Sequence, residues 1–424
     1  MSSGERIDPS VGYARGPILA SSLDEARRRA HALRLIRDRA AALGHDSFYN
    51  FTGLHRDFPV PPDKVAWGEE WVGPAFFWDE LDQLARDHFG GEAGHEVAVF
   101  NRCSAGIIAA CLALARPGSV VASVTPGARS HPSIGRGARL AAAQLRQTTL
   151  PSDVELWLAA EDVSLIVITG VSSELEILDQ DVLLAAVRLG RDAGVPVLLD
   201  DAYGTRLRPI VFGGLKTMET GADLGVTACD KAGLGGPRAG LMVGEPLLMR
   251  QVAAKAAELG MEARPPLALG IWSSLRTFDP RHLREEYELG GEIYAALSGR
   301  FGEGRVVRSA LGASMPADTV YGLVREMRGR DLPVVPGELT AGIGLYWLGQ
   351  HGVISVNAMG QPGASIWLRF KPSPGELERF GGIPALLDIV EGGIDRVAQQ
   401  AHSVAEMRRL LLGEGPDDEG NERA

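Results

Sequence analysis

The sequence predicts an α/β fold: a mainly parallel sheet of the seven-stranded type, sandwiched by helices, followed by a smaller α+β C-terminal domain. Two observations point to the sheet. From about Glu96, short β-branched runs alternate with Ala- and Leu-rich stretches of helical spacing. Those runs are apolar along their whole length rather than at every second residue, as strands covered on both faces are. The third observation is that this alternation gives way to long helical periodicity after about Phe278.

Taken in order, residues 1–65 read as an N-terminal arm and helix. Residues 1–22 are rich in Gly, Pro and Ser, an arm of the kind that packs on a partner subunit. Ala26, Ala30, Leu33, Ala40 and Leu43 then recur at helical spacing and predict a helix over 23–43. The large domain, 66–277, carries predicted strands at 97–100, 120–124, 165–169, 195–199, 224–228 and 240–243, with helices such as 106–115 and 180–193 between them. Right-handed crossovers place the loops that follow such strands at one edge of the sheet, where α/β proteins bind ligands. The small domain, 278–412, holds a long helical stretch, an apolar segment at 341–349, strand-like runs at 353–357 and 365–370, and a closing helix over 383–412. The tail, 413–424, is charged and poor in apolar residues, and is expected to be disordered.

Composition narrows the function. A chain of 424 residues with 45% hydrophobic content is long for a single domain. Its net charge of −11 argues against a grip on phosphate backbones, and so against tRNA. The three cysteines, Cys103, Cys111 and Cys229, form no CxxC pair, which suits a reducing, cytoplasmic setting. The N-terminus lacks the order of a secretory signal, and no run is long enough to cross a bilayer, so no membrane is expected. P-loop, HExxH and complete dinucleotide fingerprints are missing, and no metal site is expected.

The residues with chemistry follow strands. Val197-Leu-Leu-Asp-Asp-Ala-Tyr-Gly204 sets carboxylates at a buried strand end, where Asp200 needs a cationic partner; a protonated pyridine nitrogen would supply one. An isolated aspartate there would more simply cap a turn. Lys231, about thirty residues on and again after an apolar strand, changes the balance: a lysine at that edge is placed to form a Schiff base. Together the pair implies pyridoxal 5'-phosphate. Val99-Phe-Asn-Arg-Cys-Ser-Ala-Gly106 runs from a strand into a helix N-terminus, whose free N–H groups over Asn101, Arg102, Cys103 and Ser104 suit a phosphate. His131 is placed to stack on the ring, or is loop surface. Ser172, Ser173 and Glu174 touch ring or substrate, or make a turn. Arg369, between Trp367 and Phe370 in number and on a predicted strand, is a candidate for a substrate carboxylate or a structural ion pair.

The order of these motifs resembles the fold-type I pyridoxal-phosphate enzymes, the aspartate-aminotransferase superfamily. Asp230-Lys-Ala-Gly-Leu-Gly-Gly-Pro-Arg-Ala-Gly240 and Asn101-Arg-Cys-Ser-Ala-Gly106 are similar to the lysine segment and phosphate loop of bacterial selenocysteine synthase and its archaeal relatives. The resemblance implies Lys231 as the Schiff-base lysine, Asp200 as partner of the pyridine nitrogen, Tyr203 near the phenolic oxygen, Gly236 in the cofactor loop and His131 as the stacking residue. It also implies at least a homodimer, with His55 and its neighbours reaching a substrate, in their own or a neighbour's site. The expected activity is Cα deprotonation of a small amino-acid-like substrate, then β- or γ-elimination or replacement, with sulfur transfer as one form. Aminotransferase or aldol-type Cα–Cβ cleavage is the alternative, and a non-catalytic scaffold of the same fold is the reading outside enzymes.

Overall fold

The computed structural model describes residues 7–127 and 129–414. The first six residues of the expected arm, and the expected tail from 415 onward, lie outside the described residues. The chain forms two compact units: Leu54–Arg284, and a second made of Met1–Gly53 with Glu285–Ala424. The N-terminal segment through Gly53 thus belongs with the C-terminal part of the chain. The second boundary falls inside the helix Pro280–Phe301 rather than at a loop.

The Leu54–Arg284 unit is built on seven strands: β1 Glu96–Phe100, β2 Val120–Val124, β3 Gln144–Thr148, β4 Val163–Thr169, β5 Val197–Asp200, β6 Leu224–Ala228 and β7 Gly240–Gly244. Their order across the sheet is β1-β7-β6-β5-β4-β2-β3. Only β7 runs antiparallel to its neighbours; the other pairings are parallel. All seven residues of β4 are buried, and Leu165, Ile166, Val167 and Ile168 are each fully covered. Each such side chain contributes about 1.5–3 kcal/mol by burial, so the middle of the sheet is a firm base for whatever its edge carries.

Helices fill the crossovers, among them α1 Cys103–Leu114, α2 Pro132–Leu140, α3 Gln180–Ala193 and α4 Gly204–Val211. The Asp179 carboxylate caps α3 by accepting from the N–H groups of Asp181 and Val182 at 2.9 and 3.3 Å. Gly194, left-handed at φ +64°, ends it. Because the strands other than β7 are parallel, the C-terminal ends of β1, β2, β4, β5 and β6 share one edge of the sheet. The first residue of β7, Gly240, lies between Phe100 and Ala228 at that same edge.

In the second unit, the helix Ser22–Leu43 is opened by a capping box between Ser21 and Asp24. The strands Val307–Arg308, Ala313–Met315 and Leu368–Phe370 form a small antiparallel sheet. The expected strand at 353–357 is short: Val353–Ile354 pairs with Tyr49–Asn50, and Ser355 then caps the helix Val356–Met359. The expected closing helix is two, Gly382–Gln400 and Val404–Leu412, because Ser403 caps a new start. The expected apolar segment lies largely within the helix Pro336–Tyr346. The arm lies along its own unit, with the N–H groups of Ile18 and Leu19 each donating to Glu338 at 2.7 Å. Among the described residues no helix is long and apolar enough to cross a membrane.

Candidate active site

Two adjacent carboxylates end β5, and the fold treats them differently. Asp201 is fully buried and paired with the Arg208 guanidinium, and it accepts from the Thr217 hydroxyl at 2.8 Å. Asp200, also buried, accepts from the Ala202 N–H, but its Oδ1 has no hydrogen-bond partner. Burial pushes its carboxyl up to about 7, with the nearby Lys231 pulling the other way and Asp201 adding to the rise. Beside it in register, Thr169 at the end of β4 carries a buried hydroxyl that also lacks a partner. A buried carboxylate with one oxygen unmet is an expensive arrangement unless a cationic donor completes it. A pyridinium N–H is such a donor.

Lys231 lies three residues beyond β6. Its Nζ stands over the face of the buried Tyr203 ring, 4.4 Å from the centroid. The backbone around it is held from several sides. Arg206 on α4, which is wholly buried, donates to the carbonyls of Lys231 and Ala228 at 3.1 and 2.6 Å. Its other contacts are the Thr227 hydroxyl and the His88 ring. Burial lowers this guanidinium to about 10, a cost borne to clamp the loop. Asp230 is paired with Arg56 at 2.8 Å, and Leu54 makes an antiparallel bridge with Lys231. Ala232 then takes a left-handed φ of +50°, unusual for a residue with a Cβ and a local strain that the surrounding contacts must hold. A Cβ on Gly236 would stand 2.5 Å from the Cys229 carbonyl, so this residue lets the loop fold back on itself.

The phosphate cradle expected at the start of α1 is open. Arg102 is the N-cap residue, no side chain caps the first turn, and no acceptor among the described residues meets the N–H groups of Cys103 and Ser104. A twelve-residue helix with a bare N-terminus suits a dianion. Gly240 brings it against β7: a Cβ there would lie 2.7 Å from Cys103 Cα. Burial drives the Cys103 thiol well up, so it is a neutral wall of the cradle. The Asn101 side chain turns away from this turn and donates to the Gly260 carbonyl at 3.1 Å.

His131 opens α2. Its Nδ1 accepts from the Ser133 N–H at 3.2 Å, which leaves the ring proton on Nε2. Burial, with Lys231, Arg136 and Arg102 near it, holds the ring down to about 3, so it is neutral. A neutral, fixed imidazole is suited to stacking on an aromatic ring.

Lys231, Asp200, Tyr203, His131 and the start of α1 therefore share one sheet edge, and their mutual electrostatic influence places the charged ones in one another's field. Ser172 is spent on a turn, its hydroxyl accepting from the N–H groups of Glu174 and Glu176 at 3.2 and 3.1 Å. Glu174 is half-buried in that turn. His55 follows the Leu54–Lys231 bridge, with its Cβ 4.0 Å from where a Cβ on Gly235 would stand. Arg369 belongs to the other unit, buried on its strand in register with Ser314. Sequence reasoning missed Thr169, Arg206 and the Arg56–Asp230 pair. Nothing local in the sequence marks them, because their surroundings are assembled only by the fold.

No protein-family model matches the chain. It is similar to a UPF0425 pyridoxal phosphate-dependent protein of Methanothermobacter thermautotrophicus, 34% identical over 396 residues, which cover 93% of this chain and all of that one. Further relatives carry the same description. Among solved structures, the SepCysS–SepCysE N-terminal domain complex matches with a TM-score of 0.56 at 13% identity, covering 85% of this chain and 99% of that one. Aspartate aminotransferase from Thermotoga maritima matches with a TM-score of 0.53 at 15% identity, covering 88% and 98%. These likenesses identify the fold as that of fold-type I pyridoxal-phosphate transferases.

Proposed function

The chain belongs to the UPF0425 pyridoxal phosphate-dependent proteins, and from that premise we propose that it is an enzyme acting on a small amino-acid-like substrate by removing the Cα proton. The observation that carries this reading is the unmet Oδ1 of Asp200 at the sheet edge that also presents Lys231. Bound pyridoxal phosphate supplies an electron sink for negative charge developing at the substrate Cα.

This chain's residues then have distinct tasks. Asp200 offers a carboxylate to the ring nitrogen and keeps a proton there. The N–H groups of Cys103 and Ser104 hold the phosphate, with Arg102 and the Ser104 hydroxyl at the same turn. His131 lies against the ring as a neutral plane, and Tyr203 positions the Lys231 amine through its ring face. Lys231 takes the proton from Cα and returns it. Ser172 and Glu174 shape the neighbouring turn, His55 borders the lysine loop, and Arg369 receives a substrate carboxylate.

The reaction proposed is β- or γ-elimination or replacement, with a homodimer as the assembly and the cytoplasm as its setting. Incubating the loaded protein with β-substituted amino acids tests it: elimination releases ammonia and a 2-oxo acid. Transfer of the amino group to an added 2-oxo acid, with no ammonia, would replace this reading by an aminotransferase. Lys231→Ala abolishes either activity by about 10³-fold or more and loses the cofactor fixed by borohydride.

A further inference from the structure

Asp200 has an in-register neighbour on each side at the end of β5. On one side is Val226 of β6, which has nothing to donate; on the other is Thr169, the last residue of β4. Neighbouring strands lie about 4.8 Å apart, and side chains paired in register project from the same face of a sheet. The packing identifies that face. Leu165 and Val167 of β4 and Leu198 of β5 belong to one apolar layer with Ile107 of α1 and Ile134 of α2. Ile166, Ile168 and Leu199 belong to the layer on the opposite side. Alternation along the strands therefore puts Thr169 and Asp200 side by side on the face that α1 and α2 cover, the helices that open with the phosphate cradle and His131.

Both side chains are buried, Thr169 at 2% and Asp200 at 4% exposure, and each keeps an oxygen with no partner: Thr169 Oγ1 and Asp200 Oδ1. A hydroxyl buried without a partner is a standing cost to the fold, which a valine of the same shape would not carry. The hydroxyls on β2 and just after it are already engaged, Ser123 with Ser130 at 2.6 Å and Thr125 with the Arg129 carbonyl at 3.3 Å. Thr169 still has its proton to give, and the acceptor level with it is Asp200. Rotation about χ1 swings a threonine hydroxyl between staggered positions, so it can turn to the carboxylate without any backbone movement.

A protonated carboxyl has little call for a second donor. An ionised one that gives an oxygen to a pyridinium N–H has lone pairs to spare, and each further donor lowers its basicity. The charged or titrating groups that face Asp200 are Lys231, the adjacent Asp201 and Cys103 at the start of α1. Asp201 is spent on Arg208, and a thiol is a weak donor.

We propose, on the reading that Asp200 meets the ring nitrogen, that Thr169 is a positioning residue whose hydroxyl donates to the Asp200 carboxylate when the cofactor is bound. The shared proton then stays on the ring, and Asp200 stays ionised. Without this donor the carboxylate becomes the better base and takes the proton, leaving a neutral ring that draws electrons less strongly.

The test uses full-length protein loaded with pyridoxal phosphate whose ring nitrogen is isotopically labelled, because its NMR shift separates a protonated ring from a bare one. Thr169→Val keeps the shape and deletes the hydroxyl. It is expected to move that shift toward the bare ring and to weaken cofactor binding by about tenfold to a hundredfold, as loss of a hydrogen bond to a charged group does. Thr169→Ser restores both. Without cofactor the sign reverses: Thr169→Val melts no lower than the native protein, since it removes a buried hydroxyl that has nothing to bond. A native shift in Thr169→Val overturns the proposal, as does Thr169→Ser behaving like Thr169→Val, or a cofactor-free Thr169→Val that melts several degrees lower. A bare ring in the native protein instead strikes the Asp200 assignment, and the role of Thr169 with it.

Discussion

Asp200 and Asp201 differ by one position and by everything around them. Asp201 meets a guanidinium and a hydroxyl, whereas Asp200 keeps an unmet oxygen and a carboxyl raised to about 7 from the ordinary 3.8. That contrast has a consequence for stability against pH. Between about 4 and 7 the folded, cofactor-free protein holds a proton on Asp200 that the unfolded chain has released, so this group's contribution falls as pH rises. His131 acts in the opposite sense. Its ring is held down to about 3 from 6.5, so the unfolded chain binds a proton that the folded one refuses, and its contribution rises with pH across that window. The two slopes oppose each other in the wild type. Asp200→Asn removes only the first, and is expected to gain stability relative to wild type as pH rises from 4 to 7, by at most about 4 kcal/mol. Urea unfolding of both cofactor-free proteins across that range checks it, and parallel profiles would show that Asp200 is not a buried, proton-holding carboxyl.

At the scale of elements, the contact between α1 and β7 depends on one hydrogen atom. A Cβ on Gly240 would meet Cys103 Cα and N at 2.7 and 2.8 Å, both backbone atoms that cannot swing aside. Gly240→Ala is expected to push the start of α1 away from β7 at a cost of about 1–3 kcal/mol, weakening cofactor binding about tenfold or more. Titration with pyridoxal phosphate measures this, with Gly299→Ala as the control because nothing lies within 4 Å of its added carbon. The same elements mark what could be read in advance. The strands β2, β4, β6 and β7 were legible because apolar runs bounded by turn residues have few other uses, and Asp200 and Lys231 were legible as charges directly after such runs. β3, Gln144–Thr148, was not, since an edge strand with polar residues outward carries no apolar run. Arg206 was invisible for a different reason: its partners at Lys231, Ala228 and His88 are brought to it by the fold, and nothing local marks an arginine for burial. Ser355 and Ser403, each a helix cap, were read through as parts of longer elements.

For the whole molecule, the proposed homodimer raises the question of which subunit completes each site. Leu54 bridges the backbone of Lys231 within one chain, and His55 follows directly. Mixed dimers of Lys231→Ala with His55→Ala subunits are therefore expected to recover no turnover. Restored activity on mixing would instead mean that His55 serves the neighbouring subunit. The sheet order has one more outcome, which concerns the making of the protein. β1 pairs with β7 alone, so Phe100 waits for Gly240 to be synthesised before its strand has any neighbour in the sheet. Closing so long a loop is slow compared with forming β4 and β5 side by side. On the ribosome the lysine proposed for the Schiff base is made before β7, the strand that anchors the proposed phosphate-binding end of α1 to the sheet, so a nascent chain cut short of β7 would hold both proposed elements without the strand that joins them.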